Sequence, residues 1–320
     1  MTNTEVLLQQ LIIGLSNGMI IALIALGYTM VYGIVELINF AHGDLFMLGS
    51  FLALTIVGML GLDQVPEPAL ISWGFVPLLI AVPLFCGILN WGVDRLAYRP
   101  LRNAPRLAPL VSAIGVSFVF VNIGLFWGGL RMDVFNDGVA AASPKDFPWI
   151  VASGNLLGEA SNIIVTWNEV FVFGITLPLM IALTLAVKFT RIGKAMRAVA
   201  QNPTAAQLMG IDVDRVIGAT FLIGGALAGA ASVVYSSYNH TIYFQMGFRV
   251  GMDAFTAAVL GGIGSLPGAL LGGLVIGIIR AMSDQYIATE WTNVVVFAIL
   301  IIVLTFRPSG LLGAPAREKV

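Results

Sequence analysis

Charge is scarce in this chain. Only 10% of its 320 residues are Asp, Glu, Lys or Arg, while 58% are apolar; a soluble domain carries about 25% charged residues. A soluble globule of this size needs a large polar shell, and this chain lacks the residues to build one. A soluble enzyme, a nucleic-acid-binding protein and a disordered chain are therefore excluded as main readings, and the remaining solvent is lipid. The formal net charge of −1 adds no overall field that would draw in polyanions. Cys86 is the only cysteine, so no internal disulfide can form. Histidine is limited to His42 and His240, which argues against a multi-histidine metal site, and no cofactor is expected in this chain. Met1 to Gln10 holds no basic residue and leads into an apolar run too long for a cleavable signal.

Catalytic signatures are also poorly represented. A phosphate loop needs Gly, four residues, then Gly-Lys-Ser/Thr. The one Gly-Lys here, Gly193-Lys194, is followed by Ala195 and has Lys188 where the first Gly belongs. Gly-x-Ser-x-Gly occurs only inside the first apolar run, at Gly14-Leu15-Ser16-Asn17-Gly18, with neither histidine near it in sequence, so a serine hydrolase within the membrane is disfavoured. No enzyme activity is expected, and any ATP chemistry has to come from another chain.

What is present is long apolar runs, at 7–35, 44–62, 73–93, 107–127, 169–189, 215–236, 252–281 and 291–306. At about 20 residues per crossing they predict an all-α, polytopic membrane helix bundle in one domain, 1–320. The runs are continuous rather than alternating, which argues against a membrane β-barrel. Segments 94–106 (Arg95, Arg99, Arg102, Arg106) and 188–215 (Lys188, Arg191, Lys194, Arg197, Arg215) are basic, and basic loops mark the cytoplasmic side. The long segment 128–168 then lies outside, the N-terminus outside, and the tail with Arg307, Arg317 and Lys319 inside. Helix counting agrees with that tail only if 252–281 is a re-entrant broken hairpin of two arms, each about 15 residues long and too short to cross. Its middle, Gly261-Gly262-Ile263-Gly264-Ser265-Leu266-Pro267-Gly268, is poor helix material. Gly43-Asp44-Leu45 and Gly264-Ser265-Leu266 are faintly alike, which hints at internal pseudo-symmetry.

Within 190–214 the local chemistry specifies a helix of about two turns. Asn202 suits the N-cap, Pro203 the first helical position and Gly210 the position past the end. Ala205, Ala206 and Met209 are expected to form its apolar face. Such a short helix is not stable alone: it rests on its own bundle, or it docks into a groove of a cytoplasmic partner. Small residues recur four apart at Gly14/Gly18, Gly225/Gly229 and Gly264/Gly268/Gly272, with Gly273/Gly277, as packing seams or as a subunit interface or gate. Ionisable residues near the apolar runs are Glu36, His42, Asp44, Asp253, Arg280 and Asp284. Such residues are functional candidates in a bilayer. Capping would also explain Asp44, and Arg280 with Asp284 could pair one turn apart. Asn39 and His42 are candidates for a polar lining. Trp127, Trp149, Trp167, Tyr235, Tyr238 and Tyr243 read as interfacial belts.

The chain resembles bacterial ABC importer permeases of the branched-chain amino acid (LivH) type. The resemblance is carried by Ala25-Leu26-Gly27-Tyr28-Thr29-Met30-Val31-Tyr32-Gly33, by Ile38-Asn39-Phe40-Ala41-His42-Gly43, and by Arg197-Ala198 through Asn202-Pro203 to Gly210-Ile211. Val259-Leu260-Gly261-Gly262-Ile263-Gly264-Ser265 and the tail Phe306-Arg307-Pro308-Ser309-Gly310-Leu311-Leu312-Gly313 extend it over nearly the full length. The resemblance implies a pore subunit in the bacterial inner membrane, with Leu, Ile or Val as cargo; similar permeases handle other amino acids, amides or urea. Implied partners are two cytoplasmic ABC ATPase subunits, a second, non-identical permease and an external solute-binding protein. It makes Arg197, Ala198, Asn202, Pro203, Ala205, Ala206, Gly210 and Ile211 candidates for ATPase coupling. Asn39, His42, Gly43, Asp44, Gly261, Gly262, Gly264 and Ser265 are candidates for the translocation path or its gate. An ion-coupled carrier is the weaker reading, because the central runs 107–127, 169–187 and 216–236 carry no carboxylate or histidine beyond Glu169 at the very start of the second.

Overall fold

A computed structural model of the chain describes residues 3–35, 39–64, 71–102, 104–105, 107–158 and 161–313. Met1, Glu36, Ile38, Arg106, Arg317 and Lys319, named above, lie outside the described residues. All eight apolar runs are helical. The helices are α1 (Asn3–Val35), α2 (Ala41–Met59), α3 (Phe75–Val93), α4 (Leu107–Trp127), α5 (Trp167–Phe189), α6 (Arg191–Gln201), α7 (Pro203–Leu208), α8 (Val213–Asn239), α9 (Met246–Gly261), α10 (Leu266–Tyr286) and α11 (Thr292–Phe306). Among the described residues, seven segments are long and apolar enough to cross a membrane: α1, α2, α3 with its extension to Leu101, α4, α5, α8 and α10.

The connectors sort to two ends. Gln9 and Ile164 exchange hydrogen bonds of 2.8 and 3.1 Å, so the start of α1 sits with the α4–α5 connector. There, β1 (Lys145–Asp146) pairs antiparallel with β2 (Thr241–Ile242), just past α8. Lys145 is buried, and its ammonium donates to the carbonyls of Phe135, Val139 and Ala140 at 3.0–3.3 Å. Burial pulls its pKa below the ordinary lysine range. At the other end lie α6, α7, the basic residues after α3 and the tail.

The break in 252–281 is real. Gly262 and Gly264 adopt φ +107° and +90°, which a side chain would disfavour. The first arm, α9, is as short as expected, at 16 residues, and the second arm corrects the expectation. The helix does not stop at 281 but runs on through Met282-Ser283-Asp284-Gln285-Tyr286, so α10 has 21 residues, about 32 Å. The bend lies at the basic end, not at mid-depth. The N–H groups of Leu311 and Leu312 donate to the carbonyls of Leu260 and Gly261 at 2.9 Å, which ties the tail to the bend.

An inverted repeat organises the core. The helix α1 packs along α10 as α8 packs along α3, and α1 meets α9 as α8 meets α2. The helices α1 and α8 run in opposite directions, so α1–α2–α3 and α8–α9–α10 are related by inversion. The counterpart of α2 is therefore α9, and Gly43 answers to Gly247 rather than to Gly264. The glycine seams serve these contacts within the chain. A Cβ on Gly18 would lie 2.8 Å from the Leu274 Cα, one on Gly273 2.6 Å from the Ala22 Cα, and one on Gly229 2.7 Å from the Pro83 Cα. Close backbone approach of this kind drives helix association in lipid. Gly273→Val should cost about 1–3 kcal/mol, the usual range for overpacking, and should lower the unfolding midpoint in detergent. Gly174→Ala, where a Cβ meets nothing within 4 Å, should leave the midpoint unchanged.

Candidate functional site

Both α2 and α9 start inside the bundle. The Gly43 turn of α2 abuts the Gly247 turn of α9: a Cβ on Gly43 would lie 2.8 Å from the Gly251 Cα, and one on Gly247 2.7 Å from the Asp44 Oδ1. Only glycine on both sides permits two helix starts to meet this way. Each start carries the positive end of a helix dipole. Neither has a side-chain cap at its own N-cap residue, Phe40 or Gln245.

A cavity of about 790 Å³ opens beside this junction, between α4 and α9. Tyr28, Phe40 and Phe255 close it toward the basic end, with ring centroids 6.3 Å (Tyr28–Phe255) and 6.5 Å (Phe40–Phe255) apart. Beyond them, between Tyr32, Asn39 and Ile263, only about 10 Å³ is free, too little for a solute. Phe118 and Phe248, 66% and 70% exposed, mark its open side.

The polar candidates divide into two places. Asp44 is 2% exposed and lines the cavity. Asp44 is not the N-cap of α2, which is Phe40; it lies in the first turn, where the helix dipole favours its carboxylate. Its Oδ2 accepts from the Ser117 hydroxyl of α4, and its Oδ1 has no hydrogen-bond partner. Asn39 lies behind it in a buried network: it donates to Asn90 (3.3 Å), accepts from the Tyr98 hydroxyl (2.9 Å) and accepts from the Ala41 N–H (3.1 Å). Asn90 donates in turn to the Phe221 carbonyl of α8 at 2.6 Å. His42 is buried against Tyr28, ring centroids 4.6 Å apart, and does not line the cavity. Among the described residues, no cluster of His, Cys, Asp or Glu could hold a metal.

Gly261, Gly262, Gly264 and Ser265 do not join Asn39, His42, Gly43 and Asp44. They form the bend at the basic end, where Ser265 caps α10 by accepting from the Gly268 N–H at 3.1 Å. Arg280 does not pair with Asp284. It donates to Asp253 on α9 and to Asn293 at 2.8 and 2.7 Å, while Asp284 accepts from Thr292.

The 190–214 segment folds as its caps direct. Asn202 accepts from the Ala205 N–H at 3.0 Å, Pro203 opens α7, and Gly210 takes φ +83°. The expected apolar face is split. Ala206 is turned into the bundle, while Ala205, Leu208 and Met209 face away from it. Arg197 donates to the Val187 and Lys188 carbonyls at the end of α5, which fixes α6 to that helix. Asp212 caps α8 by accepting from the Arg215 N–H at 3.0 Å. Asp214 then pairs with Arg99 and Arg102, and Arg102 with the buried Asp94 at 2.6 Å.

Sequence reasoning missed Arg249 and Leu208. Arg249 lies in the first turn of α9, whose start the flanking glycines disguised. Leu208 lies among small residues whose orientation only the packed helix defines.

The matching family model, branched-chain amino acid transport system / permease component, covers residues 10–304. The chain is 42% identical to the high-affinity branched-chain amino acid transport system permease protein LivH of Salmonella typhimurium, over 98% of this chain and 97% of the relative. It is equally similar to BraD, the permease protein so described in Pseudomonas aeruginosa, over 98% of each chain. A probable branched-chain amino acid transport permease protein LivH of Methanocaldococcus jannaschii is 28% identical over 92% of this chain and 89% of its own. No solved structure matches. The chain, a polytopic helical membrane protein, belongs to the family of permease components of branched-chain amino acid transport systems.

Proposed function

We propose that this chain is the transmembrane pore subunit of an ATP-driven importer whose cargo is Leu, Ile or Val. The observation that carries the reading is 42% identity, along 98% of the chain, to permeases named for branched-chain amino acid transport. The geometry supports it: two inverted half-repeats start helices against each other inside the bundle, and a solute-sized cavity lies where they meet. Binding at a repeat interface beside interrupted helices is a general transporter arrangement.

In this reading the membrane is the bacterial inner membrane. The end bearing Arg95, Arg99, Lys188, Arg191 and Lys194 faces the cytoplasm, by the bias of basic loops. The N-terminus and the 128–168 segment face outward, where a solute-binding protein delivers cargo. The exposed rings of Phe118 and Phe248 leave one cavity wall open, and a second, non-identical permease completes it. The 190–214 segment is the coupling loop to two ATPase subunits. Asn202, Pro203 and Gly210 shape its helix, while Arg197, Ala198, Ala206 and Ile211 seat it on the bundle. Ala205 sits on the docking side with Leu208 and Met209. ATP-driven closure of the ATPases moves α7. The motion passes through the Asp212 cap and the Asp214–Arg102–Asp94 ion pairs to the inner ends of α8 and α3. Tyr98 then links to Asn39 at the start of α2, next to the cavity floor. Tyr28, Phe40 and Phe255 form the inner gate, with the Gly261–Ser265 bend and the tail below it.

Purification of the tagged chain from its native membrane tests the assembly. An ATPase carrying the phosphate loop absent here is expected to co-purify with a second permease. A purified, transport-competent chain with no nucleotide-binding protein would overturn the reading.

A further inference from the structure

We propose that the cavity between α4 and α9 is a zwitterion site, in which Asp44 takes the α-ammonium of an apolar amino acid and Arg249 takes its α-carboxylate. The inference rests on the reading of the chain as an amino-acid importer pore and adds the recognition chemistry. Asp44 is 98% shielded from solvent, yet its Oδ1 lacks any hydrogen-bond partner. A buried carboxylate oxygen left bare is costly unless something cationic or hydrogen-donating meets it. Its Oδ2 is engaged by Ser117, which also lines the cavity, so the carboxylate is held at the cavity wall, with the bare Oδ1 packed toward Gly247 at the start of α9.

Arg249 supplies the opposite charge in the same cavity. It sits in the first turn of α9, where the dipole already favours anions. Asp253, one turn further on, is held by Arg280 at 2.8 Å. Among the described residues, no carboxylate lies within 4.0 Å of the Arg249 guanidinium in an ion pair, since every such pair involves other residues. The start of α2 competes less for a carboxylate, because the Asn39 side chain accepts the Ala41 N–H and the Asn39 carbonyl accepts the His42 N–H, both at 3.1 Å. The remaining wall is apolar: Ile114, Phe118, Val121, Phe248 and Met252. One negative group, one positive group and an aliphatic-aromatic wall match an amino acid with a hydrocarbon side chain. A free cation, a free carboxylate or a sugar would leave part of the lining unmatched.

The test uses the assembled importer with a cysteine introduced as Val121→Cys on the cavity wall. The natural Cys86 is fully buried and gives little background. Labelling of Val121→Cys by a maleimide is followed with millimolar leucine, with 4-methylpentanoate (leucine without its amino group) or with 3-methylbutylamine (leucine without its carboxylate). Leucine is expected to protect at concentrations at least tenfold lower than either analogue. With Asp44→Asn added, leucine should protect no better than 4-methylpentanoate; with Arg249→Gln added, no better than 3-methylbutylamine. Arg249→Lys should restore part of the preference. Each variant should co-purify with its partner permease and the ATPases at the level of the natural chain and elute at the same size, which shows that it is folded and assembled.

Unchanged preferences in both variants would overturn the proposal, as would absence of leucine protection in a complex that imports leucine. Should Asp44→Asn not assemble, the Arg249 arm decides alone. A complex with neither import nor stimulated ATPase activity would instead defeat the importer reading itself.

Discussion

Uptake by the assembled importer is expected to fall roughly 100-fold when Leu208 and Met209 are both replaced by glutamate, a loss of about 3 kcal/mol of docking energy in the range of interface hot spots. The two side chains are 84% and 82% exposed at the tip of the basic end. They extend from α7, a helix of six residues that its caps hold in place although it is too short to be stable alone. Two large apolar side chains held out in water on a braced, rigid tip have the features of an anchor for a groove. Carboxylates there would be desolvated without partners on docking. The chain itself should insert and accumulate normally, because neither side chain contributes to the core. The ATPase should no longer co-purify. Ala206→Glu provides the contrast: Ala206 is 4% exposed, so its replacement should lower the abundance of the chain before any question of docking arises. Undiminished uptake by the Leu208/Met209 variant would remove α7 from the coupling path.

Replacement of Arg102 by methionine is expected to destabilise the chain by about 3–5 kcal/mol, the cost of leaving one member of a buried ion pair alone. Asp94 is 2% exposed, and its carboxylate meets the Arg102 guanidinium at 2.6 Å. Arg102 also holds Asp214 at the start of α8. The single variant should be depleted from membranes and unfold at a lower temperature in detergent. The double variant Asp94→Asn with Arg102→Met should recover most of that loss, because no bare charge remains. The exposed Arg215–Asp212 pair, 89% and 51% accessible, should show almost no effect when broken, since surface ion pairs contribute about 0–1 kcal/mol. Equal stability of the Arg102 single variant and the natural chain would contradict this account of the basic end.

Much of this architecture is legible in the sequence where the controlling forces are local. Apolar runs of spanning length give the helices, because lipid leaves the backbone no other way to satisfy its hydrogen bonds. Asn202, Pro203 and Gly210 delimit α7 through their own torsions and caps. The Gly262 and Gly264 bend follows from residues that prefer positive φ. The rest depends on partners distant in the chain. The start of α9 at Met246 is hidden because Gly247 and Gly251, which read as helix breakers, are the residues that let α9 touch α2. Asp44 reads as a cap from its neighbours in sequence, yet its hydrogen bond goes to Ser117 on α4. Arg280 has Asp284 one turn away in sequence but finds Asp253 across the α9–α10 hairpin. The Ala205, Ala206 and Met209 face divides because only α8 and the loop beneath α7 determine which side is covered. Local chemistry sets the elements here; the inverted repeat, and with it the cavity, arises from glycine contacts between segments some 200 residues apart.

The central claim is that this chain is a conduit whose motion is driven by other subunits. Reconstitution into vesicles tests it most directly: the chain alone, and the chain with its partner permease, the two ATPases and the binding protein, each measured for leucine accumulation with and without ATP. The account predicts accumulation only in the full assembly and only with ATP, undiminished when ion gradients are collapsed. Accumulation of leucine against its gradient by the chain alone would contradict it.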